Sequence, residues 1–239
     1  MTKPTHITAT LTLSNGNTVT VPTSWSDVSL AQYLQYLETI ETSLGESAAN
    51  ENLFWVNVLA HFTGVSMDDL QEMQTSDLLQ ACQCLHFLAE PLTNFEQFKK
   101  EYSVNSSFII IEGKQYDYPT ALPSIPFQKQ SFGDFAESMT YWSQGGELLK
   151  GKVSVLPQMM AVLLKRQGEK IPLAIDTRSA WVDQRAEFWK GQNMMHGWEF
   201  LFFFLKILQP SKTTIRAFSE GGSKSQARQK KKGQRNTKP

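Results

Sequence analysis

Cysteine is nearly missing from this 239-residue sequence, with only Cys82 and Cys84 present. Two apart in an apolar stretch that reads as helical, they face different directions and cannot bridge one another, so they are expected to be packed thiols. Long apolar runs are missing too. The longest, Phe200 to Leu205, lies between Glu199 and Lys206 and falls far short of the ~20 residues a bilayer span requires. The start MTKPTHITATLTLSNG lacks a basic opening and an apolar core, so it reads as a strand rather than a signal peptide. These absences predict a cytoplasmic protein with no membrane association. Hydrophobic residues make up 41% and aromatics 11% of the chain, which excludes disorder over most of its length.

Net charge is also missing, with 23 Lys plus Arg against 23 Asp plus Glu. The balance conceals a division. Residues 1–210 hold 14 basic and 22 acidic side chains, whereas 211–239 hold 9 basic and one acidic. The Ser-, Gly-, Gln- and Lys-rich composition after Pro210 cannot bury enough apolar area to offset chain entropy, so 211–239 is expected to be a disordered basic tail. Lys224, Arg228, Lys230, Lys231, Lys232 and Arg235 are its candidate contacts to nucleic acid or to an acidic surface, through counterion release that needs no base specificity. A solubilising segment that folds back on the acidic body is the plainer alternative.

Signatures of reaction chemistry are likewise lacking. There is no G-x-S-x-G elbow, no H-E-x-x-H and no G-x-G-x-x-G. Gly146-Glu-Leu-Leu-Lys-Gly151-Lys152 has the spacing of a phosphate-cradling loop, but a helix is expected before it where a strand is required. Val153 stands where a magnesium-binding hydroxyl belongs. An ordinary helix-to-helix turn accounts for it. His6, His61, His86 and His196 fall on separate elements, and His86 two residues after Cys84 is poor geometry for one metal. No catalytic, cofactor-binding or metal-binding residue is nominated, no cofactor is expected, and a non-enzymatic role is the expectation.

What is present is order. ITATLTLSNGNTVTV, residues 7–21, alternates around Asn15-Gly16 as a β-hairpin does. Ser29 and Gln32 then form a capping box before a helix with Leu30, Tyr33, Leu34 and Leu37 on one face. A similar unit returns 97 residues later. FIIIEGKQYDYPTAL turns at Glu112-Gly113-Lys114, and Gly113 to Pro119 repeats the spacing of Gly16 to Pro22. A cap at Ser131 with Asp134 starts a helix carrying Phe132, Phe135, Met139 and Trp142. Further helices are expected over 52–62, from a cap at Ser66 with Asp69, over 76–89, over 154–166 with Pro157 in its first turn, over 180–190 and over 193–208. The fold class is α+β and mostly helical, as two hairpin-plus-helix-cluster halves of the kind an internal duplication would leave, followed by the tail. The divisions are 1–90, a connector 91–107, 108–210 and 211–239. Two unrelated hairpins in an α+β chain would give the same order.

Aromatics are the remaining resource. The FLFFFL run is apolar all round and calls for a helix enclosed by others or covered by a partner. Trp181 and Phe188 share a helix face with Arg185 between them, and Trp189 lies on the adjoining turn. These four are the candidate partner-binding residues, with ordinary core as the alternative.

Val21-Pro-Thr-Ser-Trp25, Leu30-Ala-Gln-Tyr33, Phe62-Thr-Gly-Val65 with Leu70 beyond, and Arg185-Ala-Glu-Phe188 ahead of the Phe-rich helix together resemble small tail-assembly proteins of tailed bacteriophages. The resemblance spans roughly residues 7–208 and implies a tail assembly chaperone, a non-enzymatic protein that covers an aggregation-prone helical tape measure protein until the tail tube forms. It carries no catalytic residues. Such families often make an extended product by frameshifting, and Lys230-Lys231-Lys232 is what an A-rich slippery tract would encode. A virion structural or connector protein whose basic tail contacts nucleic acid is the alternative. An RNA-binding regulatory module, supported by the tail alone, ranks below both, and an enzyme below that.

Overall fold

The computed structural model describes residues 9–43, 51–93, 95–101, 107–119, 132–166, 169, 172 and 174–208. The tail and Ser131 lie outside these. Helices β-hairpins alternate with are the bulk of the fold: β1 (Ala9–Thr12), β2 (Thr18–Val21), α1 (Leu30–Ser43), α2 (Glu51–Thr63), α3 (Met67–Gln71), α4 (Thr75–Cys84), a 3-10 turn (His86–Ala89), α5 (Glu90–Thr93) and α6 (Phe95–Glu101) come first. Then follow β3 (Phe108–Ile111), β4 (Lys114–Asp117), α7 (Phe132–Gln144), α8 (Leu149–Ser154), α9 (Leu156–Leu163), β5 (Lys165–Arg166) and α10 (Ile175–Lys190). Residues 194–208 are helical and are called α11. The chain is thus mostly helical with two small antiparallel sheets, β1-β2 and β3-β4-β5.

Local chemistry sets many of these boundaries. The capping box before α1 is present in full, with the Ser29 amide donating to Gln32 Oε1 at 2.9 Å and the Gln32 amide to Ser29 Oγ at 3.2 Å. Ser66 Oγ accepts from the Asp69 amide at 3.1 Å and starts α3. Gly64, at φ +69, ends α2, and its amide donates to Ala60 O at 2.8 Å. The expected helix over 76–89 instead divides into α4 and the 3-10 turn. The helix expected over 154–166 spans only Leu156–Leu163, and Lys165 and Arg166 pair with Asp117 and Tyr116 as a third strand.

The two hairpins differ in a way their shared glycine-to-proline spacing concealed. In the first, Leu13 N donates to Asn17 O and Gly16 N to Leu13 O, with Gly16 at φ +83. This is a three-residue loop closed by a left-handed glycine. In the second, Ile111 pairs with Lys114 across Glu112 (φ +51) and Gly113 (φ +73), a two-residue loop. Aligned on their glycines, the leading strands are therefore one residue out of step, and a one-residue step exchanges the faces of a strand. Leu11 and Leu13 point inward, whereas Phe108 and Ile110, their counterparts, point outward and Ile109 and Ile111 are buried.

The core runs through both halves. Trp198 of α11 lies 5.4 Å from Trp25, 5.5 Å from Tyr33 and 5.0 Å from Phe98, between ring centroids. Backbone bonds reinforce this, with Leu30 N donating to Gln192 O at 2.8 Å and Met194 N to Val28 O at 2.7 Å. The FLFFFL segment is enclosed: Phe200, Leu201, Phe202 and Phe204 are buried. The strings that carried the phage resemblance are also structural. Trp25, Tyr33, Phe62 and Leu70 are buried, and Asp27 Oδ2 accepts from the Thr23 and Ser24 amides, both at 3.1 Å, to fix the segment before α1.

Burial pushes the phenols of Tyr33, Tyr36 and Tyr118 well above their ordinary value of 10.0, with Tyr36 adding to the rise at Tyr33 and Glu199 to that at Tyr118. An unfolded chain loses these protons near pH 10, whereas the folded chain keeps them. Their contribution is therefore intact below pH 10 and is lost as pH rises above it, by about 1.4 kcal/mol per phenol per pH unit. Tyrosinate absorbance and loss of helical circular dichroism are expected to rise together above pH 10. Phenol ionisation completed while the helices persist would contradict the burial of these rings.

Candidate partner-binding surfaces

Helix α10 carries the four residues expected to meet a partner. Its outward stripe is instead polar: Thr177, Ser179, Asp183, Gln184 and Glu187 are exposed, together with Ala180. Trp189 is completely enclosed, 5.1 Å from Tyr116 and 5.2 Å from Phe188. Phe188 and Trp181 are half-buried, and Phe188 stacks on Tyr116 at 5.8 Å. Arg185 is 9% exposed. Its Nε donates to Ala161 O at 2.9 Å, and its two terminal nitrogens donate to Leu164 O and Glu169 Oε1. Its guanidinium also lies 4.7 Å from the Trp181 ring. Burial lowers the Arg185 pKa and Glu169 opposes that shift. In these placements Arg185 ties α10 to the end of α9 and Trp189 packs it against Tyr116 of β4, so the side of α10 that carries the aromatics is its core side.

A second ion cluster was not foreseen. Asp134, read from the sequence as part of a helix cap, is 1% exposed. It accepts from Lys165 Nζ at 2.5 Å and from Arg178 at 2.7 Å, and Arg178 Nε also donates to Glu137 at 2.6 Å. Burial works against the Arg178 charge, but the bonds to Asp134 and Glu137 outweigh it and raise its pKa. The cluster joins α7, β5 and α10, elements far apart in sequence.

The phosphate-loop spacing has a packing explanation. Gly145 and Gly151 bring the end of α7 and the start of α8 into backbone contact, so that a Cβ on Gly151 would lie 1.9 Å from Gly145 O. Lys152 Nζ donates to Trp142 O at 2.8 Å, at the end of α7, and lies 3.9 Å from the Trp142 ring centroid. The lysine is thereby turned onto α7. Among the described residues, no group of three or more His, Cys, Asp or Glu side chains is placed to hold a metal ion. Cys82 is buried and Cys84 partly buried, both as free thiols, and no described helix is long and apolar enough to cross a membrane.

The strongest electrostatic feature lies elsewhere. Residues 4–98 contain eleven Asp or Glu and no Lys or Arg. Within that span, Asp68 on α3, Glu72 just after it and Asp77 on α4 are exposed. The ion pairs of Lys165, Arg166, Arg178, Arg185, Lys190 and His196 are made with carboxylates between Asp134 and Glu199. Leu79 is 38% exposed on the α4 stripe that also presents Ser76, Gln80 and Gln83, whereas Asp77, two residues before it, faces a different direction. Ser14 Oγ in the first hairpin turn donates to Glu72 O at 3.1 Å and ties the end of α3 to β1-β2. No family model, curated protein or solved structure matches this chain.

Other large apolar side chains are exposed at separate places, with Ile110 on β3 at 60% and Leu148 before α8 at 76%. The tail candidates Lys224, Arg228, Lys230, Lys231, Lys232 and Arg235 lie outside the described residues.

Proposed function

We propose that this chain is a non-enzymatic, cytoplasmic assembly protein of the phage tail-chaperone kind, which binds an aggregation-prone helical partner such as a tape measure protein. The observation that carries the reading is the span 4–98, which holds eleven Asp or Glu and no Lys or Arg and exposes Asp68, Glu72 and Asp77. Such an acidic span offers an assembly partner electrostatic steering with little buried area, so capture can be fast and release is retained. The alternative, a virion structural or connector protein, draws its support from the nine cations of residues 211–239, which suit nucleic acid.

Copurification from the native setting separates the two. The full chain and a chain ending at Pro210 are each expected to recover the same long, helix-rich protein with or without nuclease. Combining Asp68→Asn, Glu72→Gln and Asp77→Asn in the full chain is expected to reduce that recovery at least fivefold. Partners seen only with the tail and lost on nuclease treatment would sink the chaperone reading. Stoichiometric presence in purified particles would favour the connector.

A further inference from the structure

The outward faces of the two hairpins differ in kind. On the first the face is threonine throughout, with Thr10 and Thr12 of β1 and Thr18 and Thr20 of β2 exposed. On the second, β3 presents Phe108 and Ile110, 37% and 60% exposed. β3 is also an end strand, since the order of the described strands in its sheet is β3-β4-β5. It carries none of the devices that keep such strands from pairing: Phe108–Ile111 has no charge and no proline, and it matches β4 residue for residue without a bulge.

The turn decides where the peptide groups of β3 point. Glu112 at φ +51 and Gly113 at φ +73 form a two-residue loop, which makes Ile111 and Lys114 a hydrogen-bonded closing pair. Bonded pairs alternate along an antiparallel ladder, so Ile109 with Tyr116 is the next and Ser107 with Tyr118 the one after. The Tyr118 amide does donate to Ser107 O, at 2.9 Å. Ile110 falls between bonded pairs, and its N–H and C=O are therefore directed away from β4, toward the edge of the sheet. Ile109 and Ile111 are buried in the chain's own core, so the strand is already extended and loses little freedom on pairing.

Such an edge fits a short, uncharged, extended segment with an outward peptide group at its centre, and β3 is itself that segment. Ile109-Ile110-Ile111 reads the same in both directions, which is what a two-fold contact between identical strands requires. We infer that β3 pairs antiparallel with β3 of a second copy, about a two-fold axis at Ile110. The Ile110 N–H then donates to the C=O of the partner's Ile110 and the reciprocal bond closes the pair, while Ile109 and Ile111 lie opposite the partner's Ile111 and Ile109. On the outward face the two Ile110 side chains meet, and each Phe108 lies on their diagonal, within reach of an aromatic ring. The two three-stranded sheets become one of six strands. The contact is short and falls below the ~800 Å² per partner of a standard interface, so the dimer is expected to be reversible and concentration-dependent. It draws on neither the acidic span nor the tail, and is independent of the assembly reading.

Sedimentation equilibrium of the full-length, nuclease-treated protein across a dilution series is expected to show monomer and dimer in exchange. Ile110→Lys supplies the charge that edge strands ordinarily carry and is expected to raise the dissociation constant roughly tenfold or more, with wild-type circular dichroism because the replaced side chain is exposed. Ile110→Thr copies the face of the first hairpin, retains strand propensity and is expected to weaken the dimer by a smaller factor. Ile110→Cys reads the position. Opposed Cα atoms of a bonded pair lie about 5.5 Å apart, within the range of a disulfide, so mild oxidation is expected to link two copies through position 110. Thr10→Cys, also exposed on a hairpin, is expected to give no such link. A wild-type mass that stays monomeric at every concentration would overturn the inference. So would a dimer that Ile110→Lys leaves intact and that oxidation of the Ile110→Cys variant does not link through position 110.

Discussion

Gly151→Ala is expected to destabilise the protein by about 3–5 kcal/mol, at the upper end of what overpacking does. The cause is backbone against backbone. An added Cβ would lie 1.9 Å from Gly145 O and 2.9 Å from Gly145 C, and a carbonyl at the end of a helix cannot swing aside as a side chain can. Relief requires α7 and α8 to separate. That would disturb Lys152, whose ammonium donates to Trp142 O, and Val153, which is fully buried. Gly146→Ala is the control one residue from the other partner: φ is +63 and nothing lies within 4 Å of its Cβ, so only left-handed backbone strain is added, about 1 kcal/mol. Urea denaturation followed by circular dichroism measures both. Equal costs for the two substitutions would mean that α7 and α8 do not approach through these glycines.

That glycine pair shows where sequence reading succeeds and where it stops. The spacing of Gly146, Gly151 and Lys152 was legible, and so was the conflict between a preceding helix and a phosphate loop. The partner of Gly151 was not, because it is Gly145, outside the motif. Features set by neighbours along the chain were readable: the Ser29–Gln32 capping box, the stop at Gly64, the two hairpins and the enclosure of Phe200 to Phe204. Features set by distant residues were not. Asp134 looked like a helix-start carboxylate because its partners, Lys165 and Arg178, lie 31 and 44 residues away. Lys165 and Arg166 looked helical because helical periodicity runs on from α9, and only pairing with β4 turns them into a strand.

Electrostatics was half legible. Dividing the chain at Pro210 separated an acidic body from a basic end, but averaging over the body hid a steeper change within it. Residues 4–98 have no Lys or Arg, whereas residues 99–210 hold thirteen of them. The second group includes Lys165, Arg178 and Arg185, which make ion pairs with carboxylates of the same half. The carboxylates of α3 and α4 have no cations nearby in sequence.

Arg185→Ala carries the other large effect, a loss of about 3–5 kcal/mol, the usual result of removing one member of a buried pair. The guanidinium closes the C-terminal end of α9 by donating to Ala161 O and Leu164 O, where the helix dipole favours a cation, and it neutralises Glu169. Alanine would leave two carbonyls and a largely buried carboxylate without that donor, and would remove the cation from the Trp181 ring. Arg185→Lys is expected to recover less than half of the loss, since one ammonium cannot reproduce three donors in a planar fork. The comparison distinguishes a structural role from a binding one. If Arg185 met a partner through solvent, both variants would keep wild-type urea midpoints and lose only copurification. If it caps α9, Arg185→Ala lowers the midpoint first, and Glu169→Gln in the same chain restores part of it by removing a largely buried charge left with only the longer Arg166 contact at 3.8 Å. A wild-type midpoint for Arg185→Ala would return α10 to the list of binding surfaces and weaken the case for α3 and α4.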